Sequence, residues 1–356
     1  KGLIPAGATA DQVEQAVRDY LIKKLAHSTA DRPNNVKLAK KAASTREQLL
    51  TNGEMRHLTP GKRLGNAGAA VDPVSAHRLP LQSTDKILVL LAEFSDTDPV
   101  QAPEHGYLPN PDNNADFWTS DTSPEYFQKM LFTPGGIDTP EGLHLDSMTD
   151  YFLEQSNGLY TVDGQVYGWY KVSQPEAYYG DDNPLGGHDN LLPGTARDVV
   201  KEVVQAAVDH GVPLADFDQQ DPYDLDEDGD YNEPDGIVDH LMIVHAGDDQ
   251  SGGGGLQGDN ALWAHSSATY FQPADSDMHV YDYTMMPENG TLGVFAHEFT
   301  HDLGLPDEYD TIYSGNGDTV SFWSIMSSGS WTGQPLGTRP PSMSPWGRWI
   351  LGWVQP

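Results

Sequence analysis

The segment HEFTHDLGLPD, which runs from His297 to Asp307, constrains this chain more than any other feature. On a helix, the two histidines of an HExxH pattern project from one face, so His297 and His301 can bind one zinc ion. Glu298 lies beside the first histidine and can take a proton from a water molecule at the metal. Gly304 allows a sharp turn that returns Asp307 as a third ligand. A fourth position then stays open for water, which is typical of catalytic zinc.

The alternative is a chance HExxH pattern on an ordinary core helix. The neighbouring apolar residues do predict a buried helix: Leu292, Val294, Phe295, Phe299 and Leu303. Two histidines and a glutamate facing inward from such a helix would be costly without a metal ion. The sequence therefore favours a zinc hydrolase.

Composition excludes several other classes of protein. The chain of 356 residues has no cysteine, which rules out disulfides, thiolate metal sites and cysteine nucleophiles. No apolar run approaches the roughly 18 residues of a membrane helix. The net charge of −33 argues against nucleic acids and membranes as partners.

The charge is divided unevenly along the chain. Residues 1–86 contain 14 basic residues (Lys and Arg) and 8 acidic residues (Asp and Glu). The remaining residues contain 6 basic and 45 acidic residues. We therefore expect two units, a basic segment at 1–84 and an acidic domain at 85–356. Opposite charge would attract the first unit to the second, most strongly at low salt. Within the acidic domain we expect subdomains at 85–303 and 304–356.

Hydrophobic periodicity predicts the main elements of both units. The basic segment is expected to be mainly helical, around 9–25 and 35–52, and to end in a linker at 59–84. In the acidic domain, strands are expected at 86–94, 160–170 and 236–245, and helices at 123–131, 147–156 and 195–210.

A twelve-residue acidic stretch at 224–235 fits a calcium loop. Its oxygen-bearing residues have the spacing of calcium ligands, and glycine stands at the sixth position. The loop ends in aspartate rather than glutamate and is followed by a predicted strand, so it resembles an EF-hand loop without the flanking helices. The alternative is a solvated acidic turn. The expected ligands are Asp224, Asp226, Asp228, Asp230 through its backbone carbonyl, Asn232 and Asp235.

Other polar side chains are interpreted as structural or solvated. Asp181, Asp182, His188 and Asp189 are expected to form a solvated loop. Four histidines are expected to be structural rather than metal ligands: His144, His240, His245 and His265.

Several segments together resemble one protein family. GVFAHEFTHDLGLPDEYD (293–310) and FWSIMSSGSW (322–331) are similar to the immune inhibitor A family of secreted bacterial metallopeptidases, peptidase family M6. SMTDYFLEQSNGLYTVDGQVYGWY (147–170) and DGIVDHLMIVHAG (235–247) add to the resemblance, which spans residues 85–356.

The resemblance implies a zinc endopeptidase acting on protein substrates outside the cell. It implies zinc on His297, His301 and Asp307, with Glu298 as the general base; Glu308 and Asp310 remain alternatives to Asp307 or supporting partners. It also implies an α/β, metzincin-like fold, with a mixed twisted sheet above the zinc helix and Met326 in a turn beneath the metal. We expect the substrate to extend along an edge strand of the sheet. Tyr309 and Tyr313 are candidates for assisting the transition state.

Members of this family are made with an N-terminal propeptide, and residues 1–84 fit that role. We expect this segment to cover the acidic cleft of the same chain and to inhibit it, or else simply to complete the fold. Four of its residues could occupy the metal: Glu54, His57, Asp72 and His77. Two rival functions remain, a calcium-dependent binding or adhesion module with an idle zinc site and a zinc hydrolase that acts on a non-peptide bond.

Overall fold

The computed structural model describes residues 83–96, 117–182, 189, 193–222, 230–255, 257–310 and 320–354. The predicted N-terminal helices, the linker at 59–84 up to residue 82, and the candidate blocking residues lie outside the described residues. None of the described helices is long and apolar enough to cross a membrane.

A five-stranded mixed sheet organises the described part of the chain. Its strands are β1 (Ser83–Glu93), β4 (Tyr160–Lys171), β5 (Leu241–His245), β6 (His265–Phe271) and β7 (Val280–Pro287), in the spatial order β4-β1-β5-β7-β6. β1 pairs in parallel with β4 and β5, and β5 pairs in parallel with β7. β6 runs antiparallel to β7 at one edge. Two further short strands, β2 (Ile137–Asp138) and β3 (His144–Leu145), form a separate hairpin.

Helices cover both faces of this sheet. They are α1 (Pro124–Phe132), α2 (Met148–Gln155), α3 (Glu176–Gly180), α4 (Ala196–Asp209), α5 (Leu292–Asp302) and α6 (Pro345–Ile350). Side chains of β1 alternate between two cores: Ile87, Val89 and Leu91 face the core that contains α1, α2 and α5, whereas Leu88 and Leu90 face α4. This arrangement confirms the α/β class and the mixed sheet, because a strand covered on both faces is apolar throughout.

Helix α5 lies deep in the first core. Phe299 packs edge-to-face on Phe152 of α2 with ring centroids 5.4 Å apart, and Phe295 lies 6.4 Å from Phe127 of α1. Residues that follow α5, including Met326, belong to the same core. Helix α5 is therefore packed against its neighbours on this face of the sheet. The division into subdomains at residue 303 stays a prediction.

Most predicted elements are observed within two or three residues of their expected limits. The prediction of a strand at 236–245 is wrong for its first half, because β5 begins at Leu241. Asp218 accepts hydrogen bonds from the backbone N–H groups of Asp235 and Gly236, and Gly236 adopts a φ of 85°. These contacts hold the chain in a loop where the apolar pattern alone indicates a strand.

Candidate metal centre

Two histidines of α5 present their Nε2 atoms to one point. Nδ1 of His297 donates to the carbonyl of Ile325 at 2.7 Å, and Nδ1 of His301 donates to the carbonyl of Leu305 at 2.8 Å. A carbonyl oxygen can only accept, so these contacts place a proton on each Nδ1 and orient each ring. Each Nε2 lone pair is then available to a metal ion.

Asp307 returns to the helix through a turn at Gly304, whose φ is 95°. Its Oδ1 atom lies 3.3 Å from Nε2 of His297 and 3.2 Å from Nε2 of His301. The same oxygen is buried and has no hydrogen bond of good geometry. Three metal donors of the types that zinc prefers therefore converge, one of them unsatisfied.

These separations fit a zinc ion. Zinc–ligand bonds of about 2.0–2.1 Å at tetrahedral angles place neighbouring donor atoms roughly 3.3 Å apart. The distances from Asp307 Oδ1 to Nε2 of His297 and of His301 already have this value, so the three ligands could bind zinc without moving. Two imidazoles and one carboxylate also leave one position of a tetrahedron free.

Glu298 is buried beside these donors, with Oε1 4.0 Å from Nε2 of His297. His297, Glu298 and His301 form a group of potential ligands whose atoms all lie within 4.8 Å of one another. Burial raises the pKa of Glu298, and the two histidines act in the opposite direction. A carboxylate in this position can receive a proton from a water molecule held at the donors.

Asp307 and His301 shift each other's pKa. Burial lowers the pKa of His301, but its contact with Asp307 outweighs this and raises that pKa to about 9. Burial acts to raise the pKa of Asp307, yet the two histidines hold it well below its usual range. The negative charge of Asp307 is therefore kept near neutral pH, where it can bind a metal ion.

A turn at 325–327 contacts the segments that carry the candidate metal ligands. Besides the contact from His297 to Ile325, the N–H of Glu308 donates to the carbonyl of Met326 at 2.7 Å. Met326 is buried in the core. Oε1 of Glu308 itself accepts a hydrogen bond from the hydroxyl of Ser344 at 2.5 Å.

The donors open into a cavity of about 640 Å³. Glu298 and Tyr309 line it, and His265 and Ser266 at the start of β6 form part of its wall. An adjoining cavity of about 280 Å³ shares Val294 and Trp331 with the first. Its other apolar walls include Phe117, Pro287 and Leu336. An edge strand and a mainly apolar pocket therefore flank the metal donors.

The predicted calcium loop is described only at its end. Asp224, Asp226 and Asp228 lie outside the described residues. Oδ1 of Asp230 accepts from the N–H of Asn232 at 3.0 Å, as in a tight acidic turn. Asp235 uses Oδ1 to accept from Ile237, and its Oδ2 has no partner. Burial and the nearby Asp221 raise the pKa of Asp235 well above its usual value.

Two other interpretations can be compared with the structure. Asp189 is 5% exposed and accepts from the N–H of Trp263, so the expectation of a solvated side chain is wrong for this residue. Its neighbour Asp182 is half-buried, while His188 lies outside the described residues. Among the histidines, His240 is buried between Asp85 and Asp302. No periodic pattern around Asp189 predicted its burial, because its partner Trp263 lies 74 residues away in the chain.

Comparison with known proteins identifies relatives of this chain. Residues 74–352 match the family model described as immune inhibitor A peptidase M6, catalytic domain. The chain is 43% identical to Immune inhibitor A of Bacillus thuringiensis subsp. alesti over 274 residues, which cover 73% of this chain and 38% of the relative. It is 36% identical to Pre-pro-metalloprotease PrtV of Vibrio cholerae serotype O1 over 368 residues, covering 98% of this chain and 37% of the relative. The chain thus spans a little over a third of the curated relatives it matches.

Proposed function

Because the chain belongs to the immune inhibitor A family of M6 peptidases, we propose that it contains the catalytic unit of a secreted, zinc-dependent endopeptidase. The observation that carries this proposal is the position of Asp307 Oδ1, 3.3 and 3.2 Å from the two histidine Nε2 atoms and beside buried Glu298. A structural zinc site would use four protein ligands, whereas this set leaves one position for water.

His297, His301 and Asp307 would hold the zinc ion. When bound, zinc supplies Lewis acidity to water and to the scissile carbonyl. Glu298 accepts the proton of the attacking water and then delivers it to the leaving amine nitrogen. Hydrogen bonds from the two histidines to the carbonyls of Ile325 and Leu305 keep the donor atoms aligned during the reaction.

The substrate would lie extended along β6. In the described sheet β6 pairs with β7 alone, so its outer edge can pair with a peptide, and its first residues line the cleft. A side chain next to the scissile bond would enter the adjoining 280 Å³ cavity. Its apolar walls favour an apolar substrate side chain at this position.

Residues 1–84 would act as an inhibitory prosegment of the same chain. The family model begins at residue 74, and the match to a relative named as a pre-pro-metalloprotease covers 98% of this chain. The excess of basic residues in this segment complements the acidic remainder. Glu54, His57, Asp72 and His77 remain the candidates for occupying the metal.

The 224–235 loop would bind calcium and stabilise the domain. Supporting this, Asp235 has a carboxylate oxygen without a partner and lies in the field of Asp218 and Asp221. A cation there would offset the repulsion between these carboxylates.

Cleavage of an unfolded protein substrate tests the proposal. The chain would be assayed before and after limited proteolysis within residues 59–84, with products mapped by mass spectrometry. We expect internal peptide bonds to be cut, a zinc chelator to stop cutting, and zinc to restore it. Zinc binding without any cleavage, even after the segment is removed, would favour the binding-module alternative.

A further inference from the structure

The backbone groups of β6 alternate between two directions, one towards β7 and one towards the outer edge of the sheet. The pairing of β7 shows which residues point each way. The N–H of Glu288, just after β7, donates to the carbonyl of His245 in β5 at 2.8 Å, so even-numbered residues of β7 bond to β5. Odd-numbered residues of β7 therefore bond to β6. The bonded pairs are His265 with Met285 and Ser267 with Tyr283.

Even-numbered residues of β6 consequently direct their N–H and C=O groups to the outer edge. Two contacts agree with this assignment. The N–H of Ala264, just before β6, donates to Oδ1 of buried Asp249 at 3.1 Å. The carbonyl of Ala268 accepts from Nε of Arg197 at 2.9 Å. Ser266 lies between these two positions, and no other strand of the described sheet pairs with β6 on this side. The outer edge is therefore open at Ser266 and occupied at the carbonyl of Ala268.

Arg197 is held at this edge by α4. A capping box fixes the first turn of the helix, where Arg197 lies. Nη2 of Arg197 also donates to Oγ of Ser267 at 3.3 Å, so the guanidinium group binds two successive residues of β6. Further along α4, Oε1 of Gln205 accepts from the N–H of Ala274 at 2.7 Å, shortly after β6 ends. Helix α4 is thus attached both to β6 and to the segment that follows it.

A peptide that adds to the edge of a sheet bonds to the N–H and C=O groups of alternate residues of the edge strand. On β6 these residues would be Ser266 and Ala268, and Ser266 lines the cleft that contains the candidate zinc ligands. At Ala268, Arg197 lies where the N–H of an added peptide would donate. Because a charged donor binds a carbonyl more strongly than a neutral amide N–H does, the peptide would not displace Arg197.

We propose that Arg197 ends the substrate-binding edge, so that a peptide pairs with β6 at Ser266 but not at the carbonyl of Ala268. This inference deepens the proposed function and rests on it, since it takes β6 as the strand that receives the substrate. Arg197 is a positioning residue, because it contacts the strand rather than the scissile bond. The substrate then needs to be extended over only a few residues near the candidate zinc ligands.

Methylation of single backbone nitrogens in a peptide substrate tests this limit. Each methyl group removes one N–H donor, so it should lower kcat/KM about 3–10-fold wherever that N–H donates to β6. In the wild type we expect this loss for the donors to the carbonyls of Ala264 and Ser266, and none for the next alternate N–H along the peptide. In Arg197→Ala the carbonyl of Ala268 is free, so methylation of that next N–H should lower kcat/KM by a similar factor.

Lys201→Ala is the matched control for the loss of positive charge. Lys201 lies on the same helix and pairs with Asp198 at 3.1 Å, so its removal leaves the contacts between Arg197 and β6 intact. Its methylation profile should equal that of the wild type. Circular dichroism is expected to show that Arg197→Ala keeps the fold, because Arg197 is exposed. Sensitivity at the next alternate N–H in the wild type would overturn the proposal, and so would identical profiles in the wild type and Arg197→Ala.

Binding measurements separate this proposal from the peptidase activity itself. Calorimetry gives the affinities of the same peptides for zinc-loaded Glu298→Gln, with and without Arg197→Ala, and needs no cleavage. The added sensitivity in the double variant should appear as a change of about 3–10-fold in Kd. This binding pattern without any cleavage by the wild type would contradict the proposed function and leave the limit at Arg197 standing. Cleavage with unchanged patterns would contradict the limit and leave the peptidase standing.

Discussion

Asp307 lies ten residues beyond His297 in the chain, yet its Oδ1 is 3.3 Å from Nε2 of that histidine. The separation is the one that two ligands of a single tetrahedral zinc ion adopt. It arises because α5 ends at Asp302 and the chain reverses at Gly304, where φ is 95°. A substitution that disturbs this turn would therefore act on the metal without touching a ligand.

Zinc content should separate Asp307 from the acidic residue beside it. Asp307→Ala removes one of three donors and is expected to weaken zinc binding by more than the roughly 10–100-fold that loss of a supporting residue costs. Glu308→Gln is the matched control, because Oε1 of Glu308 is bound by the hydroxyl of Ser344. Competition with a chromogenic chelator measures the zinc affinity of both variants. Zinc loss in Glu308→Gln with retention in Asp307→Ala would reverse the assignment.

Cleavage preference should follow the size of the 280 Å³ cavity. Val294→Phe fills the wall shared with the cleft, so substrates with bulky apolar side chains should lose about 10-fold or more in kcat/KM. Leu336→Ala enlarges the same cavity and is expected to increase the preference for substrates with bulky apolar side chains. Profiling with a peptide library reports both shifts. Identical profiles in the two variants would mean that this cavity does not receive the substrate.

The buried histidine His240 should be important for stability. It lies between Asp302, the last residue of α5, and Asp85 of β1. His240→Ala leaves two buried carboxylates facing each other and should lower the free energy of unfolding by about 3–5 kcal/mol. His144, which contacts Asp138 at the surface, provides the control: His144→Ala should cost at most about 1 kcal/mol. Urea titration measures the free energy of unfolding of both variants. An equal decrease in the two variants would refute this role for His240.

Stability should fall as pH rises through the pKa of Asp189. Its folded-state pKa of about 8 lies above the ordinary value of 3.8, so the unfolded chain loses this proton first. The neutral form therefore contributes stability that is fully present below about pH 4 and is lost progressively as pH rises through about 8. Thermal midpoints between pH 5 and 8 should fall more steeply in the wild type than in Asp189→Asn. Parallel curves for the two proteins would contradict this.

The convergence of the candidate zinc ligands was predictable because it depends on local spacing. His297, Glu298 and His301 lie on one helix, and Gly304 marks the turn that returns Asp307. Element positions followed from hydrophobic periodicity for the same reason, as in β1 and α4. These features are encoded within about a dozen neighbouring residues, which is the range over which sequence pattern is informative.

Features that depend on distant parts of the chain were not predicted. The edge strand β6 received no expectation, because its mixed polar sequence is half-buried and pairs with β7 across a register shift. Likewise, burial of Asp189 depends on Trp263, which lies 74 residues away. The segment before β5 was mistaken for a continuous strand, because Asp218 binds the backbone at residues 235 and 236 and only one isolated bridge, between Ile237 and His279, follows before β5. Tertiary contacts decide such cases.

Glu298→Gln tests the central claim most directly. Glutamine keeps the size of the buried side chain but cannot accept the proton, so cleavage of an unfolded protein should fall by at least about 100-fold. Zinc stoichiometry should remain one per chain at this site, because His297, His301 and Asp307 are unchanged. Full activity in Glu298→Gln with zinc bound would contradict the proposed mechanism.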